Sequence, residues 1–201
     1  MAAAVMANPG GKVPLPPSAF SADAQTELRR LLSCFMRSDS YRSASAAPLI
    51  WSEYDFALLL HDEIEGILHG AMDLVWLDPD GLAHVADLKT NRLASPGDFH
   101  PEEHVFQIQL YALALRGIFG RVSNMGRLEY LWSGRGADVP TDEPTLNQVR
   151  DELGAMFGLL SASHDCLDGF PPRQGPHCRW CEYAGVFCAP GGAAISAGEG
   201  H

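Results

Sequence analysis

Two stretches of this chain concentrate residue types that do chemistry. In the first, Gly70-Ala-Met-Asp73-Leu-Val and Val85-Ala-Asp87-Leu-Lys89-Thr90 flank an Asp78-Pro-Asp-Gly81 turn. If the turn is centred near Asp80, strand partners have numbers summing to about 160, and Asp73 stands opposite Asp87. Facing residues of an antiparallel pair hold their Cβ atoms about 5 Å apart, where two like charges repel unless a cation lies between them. Lys89 follows Asp87 by two residues and so projects from the same face. Two carboxylates make a hard, oxygen-rich site for Mg2+ or Mn2+, which polarises a phosphoryl oxygen and acidifies a bound water. A lysine beside them can position that water and offset the charge that builds on phosphorus. The chemistry that fits is phosphodiester hydrolysis. The plain alternative is a surface Asp-x-Lys ion pair, but the run Leu82 to Leu88 reads as at least half buried, and acids in such a run require a partner.

The second stretch is Cys178-x2-Cys181-x6-Cys188, three thiols within eleven residues. With Cys34 and Cys166 the total is five, an odd number, and clustered cysteines in a reducing compartment point to metal before disulfide. Candidates for a fourth ligand are Cys34, Cys166 and His177, the last giving a Cys3His structural Zn2+ site. Taken singly, Cys34 reads as a helical thiol, and the histidines His61, His69, His84, His100, His104 and His164 have no ligand spacing.

Positioning these groups requires a scaffold. Residues 1–22, rich in Ala, Gly and Pro, read as a disordered leader. Ser21 caps a helix with Leu28, Leu31, Leu32, Phe35 and Met36 on one side, ending near Ser38 to Ser40. A short helix or irregular stretch leads to Ile50, and Trp51 to Leu60 reads as a strand interrupted by Ser52, Glu53 and Asp55. The two runs around Asp78–Gly81 form a hairpin, Glu102 to about Gly117 an apolar helix, Leu128 to Trp132 a strand, Gly134 to Pro144 a loop, and Leu146 to about Leu160 an amphipathic helix. Pro171, Pro172 and Pro176 make the cysteine-rich end a non-regular element. The expected domains are a core over 23–165, a metal-binding element over 166–190 and a flexible tail over 191–201.

Charge sets a constraint. The formal net charge of −11 opposes binding to nucleic acid, which Lys and Arg drive by neutralising phosphates. Acids engaged with metal and bases gathered locally would relax that opposition, leaving weak DNA binding as the expectation. Of the 14 basic residues only Lys12 and Lys89 are lysines, so a lysine beside Asp87 stands out. No apolar run reaches the roughly 20 residues of a membrane span, and the start lacks the apolar core of a signal peptide, so a cytoplasmic protein with no membrane partner is expected.

Taken in order, the Asp73 block, the Asp87-Leu-Lys89 block and Gln107-Ile-Gln-Leu-Tyr111 resemble the RecB-like branch of the PD-(D/E)XK nucleases, found in recombination helicase-nucleases and CRISPR-associated exonucleases. The resemblance spans roughly residues 50–190. It implies an α/β fold of the restriction-endonuclease type, a mixed central sheet flanked by helices with a metal-stapled C-terminal element. It also implies that Asp73 and Asp87 are metal ligands, Lys89 the catalytic lysine, and Gln107 with Tyr111 the Gln-x-x-x-Tyr pair beside the site. The implied activity is Mg2+- or Mn2+-dependent DNA cleavage on single strands or ends in recombination and repair, with a helicase subunit or fused helicase as partner. Relatives of this branch carry a [4Fe-4S] cluster, which implies that Cys178, Cys181 and Cys188, with Cys34 as the distant fourth, hold one here. Glu53 resembles the Glu that precedes the first core strand. The family's usual His from an upstream helix has no counterpart in residues 1–49, which leaves a nuclease-fold DNA-binding or scaffolding domain as the alternative.

Overall fold

The computed structural model describes residues 21–60, 66–92, 95, 97, 99–162 and 175–182. The chain divides into two units, residues 1–157 and 158–201. The first opens with α1 (Ala22–Phe35), where the Ser21 side chain accepts a hydrogen bond from Ala24 N–H, followed by α2 (Asp39–Ser45), capped in the same way by Ser38. Three long strands come next: β1 (Leu49–Leu60), β2 (Gly66–Leu77) and β3 (Ala83–Lys89). A 3-10 turn over Pro101–His104 leads into α3 (Val105–Phe119), and β4 (Met125–Tyr130), β5 (Arg135–Pro140) and α4 (Glu143–Ala162) complete the sequence of elements. In the second unit the described residues form the end of α4 and a 3-10 turn over Pro176–Trp180.

The five strands form one mixed sheet in the order β1-β2-β3-β4-β5. The pairs β1/β2, β2/β3 and β4/β5 are antiparallel, while β3 and β4 are parallel and joined by the crossover through α3. This is the mixed α/β architecture expected. The β2–β3 turn closes because Asp78 Oδ1 accepts from the backbone N–H groups of Asp80 and Leu82, and Gly81 takes the positive φ of 74° that a side chain would resist.

One face of the sheet carries the main core. Met72, Val75, Val85 and Leu128 meet Ile108, Ala112 and Leu115 of α3, and Leu146, Val149 and Leu153 of α4 close the cluster. The apolar character of α3 is explained by this burial. Gly126 lets α3 come close to β4, since a Cβ there would stand 2.3 Å from Ile108 Cγ2. The other face carries a smaller cluster of Leu74, Trp76 and Ala86 with Ala44 of α2. One strand departs from expectation. The stretch read as a loop between Gly134 and Pro144 contains β5, an edge strand whose Gly136, Asp138 and Pro140 give no strand signal and whose pairing comes wholly from β4.

Candidate active site

The hairpin ladder runs Leu74↔Ala86, Val75↔Val85, Trp76↔His84 and Leu77↔Ala83, the register expected from the turn. It stops one residue short of Asp73 and Asp87. There the strands part, and the backbone N–H of Leu88 donates to Asp73 Oδ2 at 2.7 Å in place of a strand carbonyl. From that point β3 is held by β4, with Asp87 beside Leu128 and Lys89 beside Tyr130. The acids therefore sit where the sheet changes from antiparallel to parallel partners.

Asp87 is 3% exposed. Lys89 Nζ lies 2.8 Å from Asp87 Oδ2, but off the hydrogen-bonding direction, so this buried oxygen has an ionic neighbour and no hydrogen bond among the described residues. The same ammonium donates to Gln107 Oε1 at 2.9 Å, and Gln107 Nε2 donates to the Tyr111 hydroxyl at 2.8 Å. Gln107 and Tyr111 lie one turn apart on α3 and share a face, which the crossover brings over β3. Asp73, Asp87, Lys89, Gln107 and Tyr111 are thus brought to one place: burial raises the Tyr111 hydroxyl pKa, and the charges of Asp87 and Asp73 add to the rise. Burial likewise raises the Asp73 carboxyl, the Leu88 N–H opposes the rise, and the Asp87 and Glu53 charges reinforce it.

Residues 4–188 match the PD-(D/E)XK nuclease superfamily, a span that includes every residue of this network. The chain belongs to the PD-(D/E)XK nuclease superfamily. Among solved structures it is similar to the crystal structure of SSO0001, at 15% identity and a TM-score of 0.43 over 84% of this chain and 72% of that one. No curated protein matches it. Nucleases of this superfamily use Mg2+ or Mn2+. Among the described residues no three His, Cys, Asp or Glu side chains converge on one point. A pair of carboxylates nevertheless fits Mg2+, which keeps several waters and takes one or two protein carboxylates with substrate phosphate completing its shell. The buried, unbonded Asp87 Oδ2 is the kind of oxygen such an ion would satisfy.

Sequence reading left the role of Glu53 open, and the structure of this PD-(D/E)XK chain places it. Ser52 pairs with Leu74 and Tyr54 with Met72, so Glu53 stands opposite Asp73 across β1 and β2. Glu53, Asp73 and Asp87 fall in one row across three strands. Glu53 has φ of 51°, the sole positive value at a non-glycine among the described residues. Alternation slips there: Trp51 and Tyr54, three apart, pack into the same core, and so do Met72 and Val75. Glu53 is thus a carboxylate on a strained backbone position opposite Asp73.

Two further residues join the site: His104, which spacing alone gave no ligand role, and Tyr130, which the sequence did not single out. His104, at the end of the 3-10 turn, lies near Lys89 and Asp87; burial and the Lys89 ammonium lower its pKa and favour the neutral ring. Tyr130 stands beside Lys89 in the ladder, its hydroxyl buried and without a hydrogen-bond partner among the described residues. Burial raises its pKa, and Glu103 and Asp87 contribute further. A His three residues before Gln107 was visible, but only the crossover geometry gives it meaning.

Of the five cysteines, Cys34, Cys178 and Cys181 are among the described residues. Cys34 lies on α1, where its Sγ accepts from Arg37 at 3.6 Å. In the second unit Cys178 Sγ accepts from Gly175 N–H at 3.3 Å, and Cys181 is exposed at the end of the 3-10 turn. The Pro-rich segment expected to be non-regular holds this short turn. Cys166 and Cys188 fall outside the described residues, so the expected thiol cluster is not seen as a group. No helix among the described residues is long and apolar enough to cross a membrane.

Proposed function

We propose that this protein is a Mg2+- or Mn2+-dependent deoxyribonuclease that hydrolyses phosphodiester bonds, acting as an exonuclease on single strands or DNA ends in recombination and repair. One observation carries the reading: the continuous chain Asp87, Lys89, Gln107 and Tyr111, set beside Asp73 on a PD-(D/E)XK fold. Asp73 and Asp87 are the residues that would hold the ion, and the ion would supply Lewis acidity and an acidified water. Leu88 N–H fixes one oxygen of Asp73 and leaves the rest of the carboxylate for a ligand's role. Lys89, held between Asp87 and Gln107, presents its ammonium where negative charge builds on the phosphoryl oxygens. Tyr111 sets the orientation of Gln107, and Gln107 that of Lys89, so the two helix residues act as positioning groups.

The single-strand and repair assignments, a helicase partner and the RecB-like branch rest on the order of the motifs. The [4Fe-4S] assignment to Cys178, Cys181, Cys188 and Cys34, with structural Zn2+ as its rival, rests on thiol spacing. A second reading, a DNA-binding scaffold without activity, draws support from the lack of a three-ligand cluster among the described residues. Incubating the purified protein with labelled single- and double-stranded DNA in Mg2+, Mn2+ or EDTA separates the two. Cleavage that requires metal and is abolished by Asp87→Ala and by Lys89→Ala is expected. Metal-dependent cleavage that persists in both variants would remove the site from the reading, and binding without cleavage in either metal would favour the scaffold.

A further inference from the structure

The chain has 14 basic residues against 25 acidic ones, so the place where its cations gather is informative. Arginines converge just past the end of β3, at the turn between β4 and β5. The Arg30 guanidinium lies 4.1 Å and that of Arg92 4.4 Å from the centre of the Trp132 ring. Arg30 also donates to the Trp132 carbonyl at 3.0 Å, and Arg92 pairs with Glu27 at 2.8 Å. The cluster thus sets two guanidinia against one carboxylate. Both arginines are exposed and the indole is half buried.

This cluster is tied to the active site through the backbone. Leu131 N–H donates to the Lys89 carbonyl at 2.9 Å, and Arg92 follows Lys89 by three residues, about 10 Å of extended chain. A second arginine–aromatic series starts at Tyr130, the ladder partner of Lys89. Phe99 meets Tyr130 edge-on at 4.8 Å, and Arg135 lies 3.6 Å over the Phe99 ring. Arg37 and Arg135, together with Glu129, line a cleft of about 170 Å3 beside Tyr130 and Gly134.

Stacking on an aromatic face holds a guanidinium in place while its edge keeps a fork of N–H donors suited to phosphate. Aromatic rings interleaved with cations along one track match a single nucleic-acid strand, whose bases stack and whose backbone is anionic. We propose that the Arg30–Trp132–Arg92 cluster grips the backbone of a single DNA strand next to the phosphate cut at Asp73, Asp87 and Lys89. The proposal rests on the nuclease reading for the identity of its ligand. It also resolves the charge objection, because the grip is local while the net charge is not.

The test measures binding without cleavage. Fluorescein-labelled single-stranded oligothymidine, and a duplex of the same length, are titrated with full-length protein in EDTA over a series of salt concentrations, with anisotropy as the readout. Arg30→Ala/Arg92→Ala should weaken single-strand binding on the order of tenfold and lower the salt slope by roughly 1.4, about 0.7 for each lost phosphate contact. Because α1 contributes no buried residue to the core and Arg92 lies outside any helix or strand, the fold should survive, which circular dichroism checks. If the double variant does not fold, Arg92→Ala alone should lower the slope by roughly 0.7. Wild-type affinity and slope in the variants would overturn the proposal, and so would an equal loss on duplex. Cleavage by the wild type in Mg2+ or Mn2+ is scored separately: cleavage with an unchanged slope refutes the grip alone, whereas a lowered slope without cleavage refutes the nuclease reading alone.

Discussion

Replacing Lys89 with Met keeps most of the length of the side chain and removes its charge, leaving the Asp87 carboxylate buried without a cation. At 2.8 Å and an effective dielectric of about 20, the lost attraction is about 6 kcal/mol before desolvation is counted. Most of that offsets the cost of taking both ions out of water, so the pair is worth little relative to two apolar groups, but breaking it on one side costs about 3–5 kcal/mol. With a urea m-value of about 2 kcal/mol/M, the unfolding midpoint in EDTA should fall by roughly 2 M. Asp87→Asn/Lys89→Met should recover most of the loss, since neither charge then remains. Mg2+ should stabilise Lys89→Met more than it stabilises wild type, because the ion replaces the missing positive charge at Asp87. Urea melts of the four proteins in a double-mutant cycle, with and without Mg2+, measure each quantity. A cost below about 1 kcal/mol for Lys89→Met, or the same cost with Asn at position 87, would show that the two side chains are not coupled and would refute the reasoning.

Three further expectations come from the same geometry and a fourth from the spacing of the cysteines. The Asp73 carboxyl is raised by burial and by its acidic neighbours, so in metal-free protein its ionised form opposes folding; the penalty is absent below the unfolded pKa of about 3.9 and complete above the raised folded value. Asp73→Asn keeps an acceptor for Leu88 N–H and should be more stable than wild type at pH 7 in EDTA and equal to it at pH 3; lower stability at pH 7 would contradict the facing of the acids. Glu53→Gln should weaken Mn2+ binding about tenfold by calorimetry, as loss of an outer carboxylate does elsewhere, and an unchanged affinity would exclude Glu53 from the ion's surroundings. Tyr111→Phe keeps the ring packed on Phe56 and removes the acceptor that orients Gln107, so kcat on single-stranded DNA should fall about tenfold while the melting temperature holds; an unchanged kcat would end the positioning role. Anaerobically prepared protein should carry iron and absorb broadly in the visible, or carry about one zinc if it is colourless, and free alkylation of Cys178, Cys181 and Cys188 with neither metal present would dismiss the staple.

The hairpin could be read from the sequence because two signals agreed on it: an Asp-Pro-Asp-Gly turn fixed the centre, and alternation on either side fixed the register. Ser21 as a cap was legible for the same reason, being local, whereas Gln107 and Tyr111 stood out only through the family resemblance. What escaped depended on contacts far apart in the chain. Glu53 faces Asp73 through the β1–β2 register, and the residues between those strands, 61–65, carry no turn signature that would set it. His104 and Tyr130 reach Asp87 only after the α3 crossover lays β4 beside β3, and Trp132 collects Arg30 from a helix about a hundred residues earlier. β5 was missed because an edge strand needs few β-forming residues when its partner supplies the ladder.

The distortion at Glu53 also bears on how the molecule avoids its own kind. β1 is twelve residues long and is an edge strand of the sheet among the described residues, with Leu49 and Ile50 half exposed, a surface on which another chain could add a strand. A positive φ and an exposed carboxylate near its start break the run of backbone groups that such an addition would need. The twist that brings a third acid toward Asp73 therefore doubles as protection against edge-to-edge aggregation. A substitution that straightened β1 at this point would expose the protein to self-association even where it left Asp73 and Asp87 untouched.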